Sequence, residues 1–227
     1  RRALAEPPPP GDRSALLLDL GMAEASAGLA DWPEHLQQAV DTAPNAAVAG
    51  GSALVLGLAL SRAQRFAEAV TVLDRAATLF ATPDSDLALA LEAAAVGAAL
   101  NDPLAAPSFA LRRETLLARA AGEPAAPPEL LAAAAFISVL TNEPAEVGAD
   151  LAARALRAGG TAPPHSGMPP WFAFTTWFGQ ATISLLWAER YAEVRSLLDA
   201  SIAQARATGD SSRLAVGLAT RGWLALR

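Results

Sequence analysis

The chain has no cysteine, and all 17 of its basic residues are arginine. Without cysteine it can form neither a disulfide nor a thiolate-ligated metal site. A zinc site would have to use carboxylates with the two histidines, His35 and His165, which lie far apart and outside any ligand-spaced motif. Without lysine there can be no phosphate-binding loop of the Gly-x-x-x-x-Gly-Lys-Ser/Thr type. Valine and isoleucine are sparse and never run together, so strands have little to form from. Long apolar runs are also missing. Leu87–Leu100 carries Glu92 and is too short to span a bilayer, and no signal peptide opens the chain. Positive charge is scattered within a net charge of −6, whereas a nucleic-acid surface needs it clustered. The expectations are a non-enzymatic cytoplasmic chain with no metal or cofactor and no contact with nucleic acid or membrane.

Apolar residues make up 52% of the 227 positions, enough for burial to outweigh chain entropy. Much of that content is Ala and Leu, which favour helix. Periodicity and punctuation predict an all-α chain of about eleven helices. They are expected at Arg13–Gly28, from Asp31 to before Pro44, at Asn45–Arg62, at Phe66–Ala81, from Thr82-Pro83-Asp84 to Asn101, and at Ser108–Ala121. The remainder are expected at Glu129–Leu140, Pro144–Ala158, Trp171–Trp187 and Tyr191–Thr208, and from Ser211 with helical pattern still present at Arg227. Asp31-Trp32-Pro33-Glu34 has the form of a capping box, and Gly209 is placed to end the tenth helix. Short connections make consecutive helices antiparallel.

Internal repetition points to a stack of helix pairs. Leu56, Gly57, Leu60, Phe66, Ala69, Leu73 and Ala76 fall at the seven small and large apolar places of the tetratricopeptide pattern. The small residues let two helices approach, and the large ones fill the seam. Arg190-Tyr191-Ala192-Glu193 mirrors Arg65-Phe66-Ala67-Glu68, although Val194 stands where Ala is expected. Leu20-Gly21 starts a further unit whose second helix slips by about two residues. The expected architecture is a right-handed superhelix of antiparallel pairs forming one domain over residues 1–227. Residues 1–10 read as the tail of a preceding repeat, on the match of Ala3 and Pro8, and residues 211–227 as the first helix of a following one, as in a piece of a longer array.

Several stretches carry a family likeness: Arg1-Arg2-Ala3-Leu4-Ala5-Glu6-Pro7-Pro8, then Leu16-Leu17-Leu18-Asp19-Leu20-Gly21-Met22-Ala23-Glu24, Ala67–Ala76, Leu151–Gly160, Ala188–Tyr191 and Ala203–Arg206. Together they resemble the helical-repeat region of the large ATP-binding regulators of the LuxR family, which share the layout of the maltose-regulon activator. In that family an ATPase module precedes the repeats and a helix-turn-helix follows them. Neither motif is present here, so no ATP-binding or DNA-reading residue carries over. The resemblance implies a sensor or interaction arm that binds a partner protein, a neighbouring domain or a small effector. ATP and DNA would then be handled elsewhere in the polypeptide. The alternative is a free-standing scaffold protein.

Four features are candidate sites. Gly50-Gly51-Ser52 at a helix start could offer amides to an anion, but no strand leads into it. His35 reads as a surface or seam residue. His165 and Ser166 lie in a Pro/Gly loop and make no triad. The fourth is aromatic: seven of the thirteen aromatics fall between Trp171 and Tyr191. Trp171, Phe174, Phe178 and Leu185 share a helical face, leaving Phe172 and Trp177 to point elsewhere. Trp171, Phe172, Phe174, Trp177 and Phe178 are the candidate groove residues, with Trp177 or Phe172 expected partly open beside a loop spanning Gly160–Pro170; the alternative is that the segment is plain inter-repeat core.

Overall fold

The computed structural model describes residues 9, 12–80, 86–122, 126–159, 170–209 and 211–226, with side chains omitted at 86, 159, 170–176, 212 and 213. These residues form eleven α-helices and no strand. In chain order they are α1 (Arg13–Ala27), α2 (Trp32–Asp41), α3 (Ala46–Arg62), α4 (Phe66–Ala77), α5 (Asp86–Leu100), α6 (Ala110–Gly122), α7 (Pro128–Leu140), α8 (Ala145–Gly159), α9 (Pro170–Trp187), α10 (Tyr191–Thr208) and α11 (Ser211–Leu224), with a 3-10 turn at Ala106–Phe109. No helix among the described residues is long and apolar enough to cross a membrane. The chain divides into two compact units, one up to Ala110 and one from Leu111 onward.

Caps account for some of the boundaries. Asn45 takes an extended conformation, and its side chain accepts the Val48 amide at 3.0 Å, opening α3. Gly209 ends α10 in the left-handed conformation, φ 70°. Asp31 departs from expectation: it stands at the N-cap position of α2 in αR conformation and makes no side-chain cap, while Pro33 holds the first turn. The helix expected to reach Ala81 ends at Ala77, closed by Thr78. The one expected at Ser108 begins at Ala110 after the 3-10 turn. The last helix ends at Leu224 rather than running on to Arg227. Thr82-Pro83-Asp84, Ala3, Pro8, His165 and Ser166 lie outside the described residues.

One turn geometry recurs four times. α1 passes to α2 through Gly28 (φ 68°), α3 to α4 through Gln64 (59°), α7 to α8 through Asn142 (55°), and α9 to α10 through Glu189 (59°). In each, the amide of the left-handed residue donates to the carbonyl three residues back: Gly28 to Ala25, Gln64 to Ser61, Asn142 to Val139 and Glu189 to Leu186, at 3.0–3.3 Å. The following amide donates to the carbonyl five residues back: Leu29 to Glu24, Arg65 to Leu60, Glu143 to Ser138 and Arg190 to Leu185, at 2.9–3.0 Å. Two orphan helix-end carbonyls are thereby satisfied. Gln64 and Glu189 hold this conformation against the roughly 1–2 kcal/mol that it costs a residue with a Cβ.

The turn also fixes register. Seven residues before it stand Gly21, Gly57, Ala135 and Thr182, all on the first helix of a pair. A Cβ on Gly21 would meet Leu36 Cγ at 2.7 Å, and one on Gly57 would meet Leu73 Cγ at 2.5 Å. Leu36 and Leu73 are fully buried, as is Leu198 in the α9–α10 pair. The first helices bury residues on every side: Gly50–Gly57 of α3 and Leu130–Ala135 of α7 are buried without a break. The second helices bury a stripe, such as Ala69, Leu73 and Ala76 of α4. First helices also pack on one another, α3 on α5 in the first unit and α7 on α9 and α9 on α11 in the second.

Candidate functional site

The aromatic segment lies on α9. Trp177 and Phe178 are buried, 6% and 4% exposed, with their rings edge to face at 6.1 Å and 81°. Of the two residues expected to be partly open, Trp177 is therefore buried and the Phe172 side chain lies outside the described residues. α9 packs on α7, α8, α10 and α11, so Trp177 and Phe178 are both covered. The side chains of Trp171, Phe172 and Phe174, and the segment from Gly160 up to α9, lie outside the described residues. Gly50-Gly51-Ser52 is not a helix start. It lies inside α3 and is buried, with a Cβ on Gly50 falling 2.6 Å from Phe80 Cζ. Its amides belong to the helix interior and are not offered to an anion.

His35 meets a partner that is distant in sequence. Its Nδ1 lies 2.6 Å from Oε2 of Glu24, which is buried at 2% exposure on α1. The tautomer with the proton on Nδ1 lets the ring donate to the carboxylate. The pair couples α1 to α2. No cluster of three or more metal-ligating side chains occurs among the described residues.

The two mirrored motifs do the same work. Arg65 at the start of α4 holds Glu68 through two bonds of 2.7 Å, from Nε to Oε1 and from Nη2 to Oε2. Its guanidinium also sits 5.9 Å from the ring centre of Trp32. Hydrogen bonding by Arg65, followed by its charge, holds the Glu68 carboxyl below its ordinary value. Arg190 at the start of α10 also grips Glu193, with Nε (2.8 Å) and Nη2 both donating to Oε1, and reaches Glu146 of α8 at 3.3 Å.

In the first unit, α2, α3 and α4 enclose a groove of about 340 Å³. Val40, Ala49, Ala53 and Val72 form its apolar floor. The rim is mixed: Arg75 on one side, Asp41 and Gln37 on the other, with Gln37 Nε2 donating to Asp41 Oδ1 at 2.9 Å. Leu79 closes one end and is 47% exposed. An apolar floor with a few polar groups at its edge is the ordinary make-up of a small-ligand or side-chain pocket. Sequence reading missed this groove because its lining comes from three helices, and no single one shows it. No protein-family profile, curated protein or solved structure matches the chain.

Proposed function

We propose that this chain is a non-catalytic interaction domain built from tetratricopeptide-like helix pairs. It would take a partner segment or small effector in the groove between α2, α3 and α4. The observation that carries the reading is this groove, lined by apolar side chains together with Arg75 and Asp41 and set in helix pairs that repeat one turn geometry. The likeness of the quoted segments to the repeat region of LuxR-family regulators supports a sensor arm whose ligand biases an ATPase switch and a DNA-binding output elsewhere in the polypeptide. Mechanistically this is population shift: the ligand favours one arrangement of the array because it binds that arrangement better. On this reading the chain is cytoplasmic and holds no metal or cofactor itself.

The test is the complete reading frame that encodes the chain. A phosphate-binding loop upstream and a helix-turn-helix downstream, in one frame, are the expected result. A frame with neither overturns the regulator reading in favour of a free-standing scaffold. Thr71→Trp, at the exposed lip of the groove, then tests the site: the variant should retain its fold while losing binding of the effector or partner segment.

A further inference from the structure

The five tryptophans include two whose exposure the core does not explain. Trp187, the last residue of α9, is 54% exposed, and Trp223, near the end of α11, is 59% exposed. The residues beside them, Leu186 and Leu224, are buried at 8% and 6% and already fill the apolar face, so the indoles are turned outward. Tryptophan is usually well covered, and isolated exposure of one ring is unremarkable. Here, however, both rings line one concavity of about 290 Å³ within the second unit, together with Tyr191, Glu189 and Leu186.

Local structure places each group. The left-handed turn at Glu189 (φ 59°) reverses the chain, so that Trp187 before it and Tyr191 after it face the same cavity. α11 supplies Trp223, held close to α10 because Gly217 sits against Ile202, where a Cβ would fall 2.8 Å from Ile202 Cγ1. The Glu189 carboxylate has no ion-pair or hydrogen-bond partner among the described residues. The nearby arginines are engaged elsewhere, Arg190 by Glu193 and Glu146, and Arg221 by Asp199 at 3.2 Å. The concavity is therefore lined by three aromatic residues, with a carboxylate beside them that has no partner among the described residues.

We propose that this pocket binds an alkylated ammonium group, with Trp187, Trp223 and Tyr191 as the cage and Glu189 as the counter-charge. Cations are drawn to the faces of aromatic rings, to indole most strongly, and ring cages are a recurrent way to hold quaternary ammonium. The volume lies at the small end of ligand pockets, about 300–1,000 Å³, and so suits one head group. A bare ammonium is strongly hydrated and needs several acceptors, while the lining side chains include one carboxylate and a phenol. An alkylated ammonium has few or no N–H groups to satisfy, and its methyl surface matches the walls. This inference is independent of the groove in the first unit and of the regulator reading.

The experiment is titration of the full chain with tetramethylammonium and with choline, followed by tryptophan fluorescence and calorimetry, with 3,3-dimethylbutanol as the uncharged isostere of choline. Saturable binding of both cations is expected, about ten-fold or more tighter than the isostere. Trp187→Ala and Trp223→Ala should each weaken it by about ten-fold. Glu189→Gln, which keeps the shape and removes the charge, should weaken it several-fold, with helical content unchanged in all three. A trimethyl-lysine peptide that binds more tightly than choline would identify a modified protein as the source of the same head group. The absence of saturable cation binding overturns the proposal. So does equal binding of the isostere, which would make the pocket merely apolar, or tighter binding of an unmodified lysine or arginine peptide.

Discussion

Leu73 is seated on the bare backbone of Gly57, where a Cβ would stand 2.5 Å from its Cγ and within 2.9 Å of both of its methyl groups. Leu73 is fully buried and has no room to retreat. Gly57→Ala should therefore cost about 1–3 kcal/mol through overpacking, more than the gain of up to about 1 kcal/mol that alanine brings to a helix. Gly97 in α5 is the control, because a Cβ there meets nothing within 4 Å. Gly97→Ala should raise the denaturation midpoint and Gly57→Ala should lower it. Equal effects would mean that the α3–α4 approach is looser than the structure has it.

Ala69, fully buried on α4, lies on the same seam. Ala69→Leu should lose about 1–3 kcal/mol by overpacking, read from urea denaturation. A loss below about 0.5 kcal/mol, typical of surface positions, would show that the seam is displaced from this residue.

The seam was legible in the sequence because its residues are few, apolar and regularly spaced. Gly57, Ala69, Leu73 and Ala76 can be placed on facing helices from period alone. The turns were not. Gln64, Asn142 and Glu189 are left-handed without being glycine, and only Asn has a local chemical bias toward that conformation. The groove and the aromatic pocket were equally hidden, because each is assembled from separate helices. Trp187 and Trp223 meet only because α11 packs against α9 and α10. Whether the rings of α9 meet a second helix layer or a groove could not be read from one helix alone; Trp177 is covered because α9 is an inner helix with several neighbours.

Glu24 and His35 should be energetically coupled. Removing the ring in His35→Ala takes a donor from a carboxylate that is 2% exposed, and a buried polar group stripped of a partner costs about 1–3 kcal/mol. Glu24→Gln keeps a hydrogen-bonding group in place and should cost less. The double-mutant cycle should give a coupling of about 0.5–3 kcal/mol. Strict additivity of the two losses would show that the 2.6 Å contact does not contribute to stability.

Glu68 gives a small acid-sensitive contribution. Its carboxyl is held below its ordinary value by hydrogen bonds from Arg65 and then by that residue's charge. A carboxyl lowered on folding stabilises the fold above its unfolded value, and the contribution is lost as pH falls through the lower, folded value. Both side chains are well exposed, 41% and 58%, so the pair should contribute no more than about 1 kcal/mol. Glu68→Gln should lower stability by at most that amount at neutral pH, and wild type and variant should converge below the carboxylate range. A difference that persists there would assign the effect to packing rather than charge.

The tryptophans provide the sharpest separation between core and surface. Trp177 is 6% exposed and packs edge to face on Phe178, whereas Trp187 and Trp223 are more than half exposed. Truncating a buried indole leaves a cavity and costs about 3–5 kcal/mol, a large share of the 5–15 kcal/mol that a domain has in total. Trp177→Ala should therefore lower the melting temperature sharply and could leave the second unit unfolded at physiological temperature. Trp187→Ala and Trp223→Ala remove rings that are already wetted and should stay near the range of about ±0.5 kcal/mol for surface positions. Acrylamide quenching checks the same assignment without relying on stability. Single-tryptophan chains retaining Trp187 or Trp223 should quench readily, and one retaining Trp177 should be protected. If Trp177 quenches as easily as Trp223, the α9 core is open to water and the aromatic segment returns as a surface candidate.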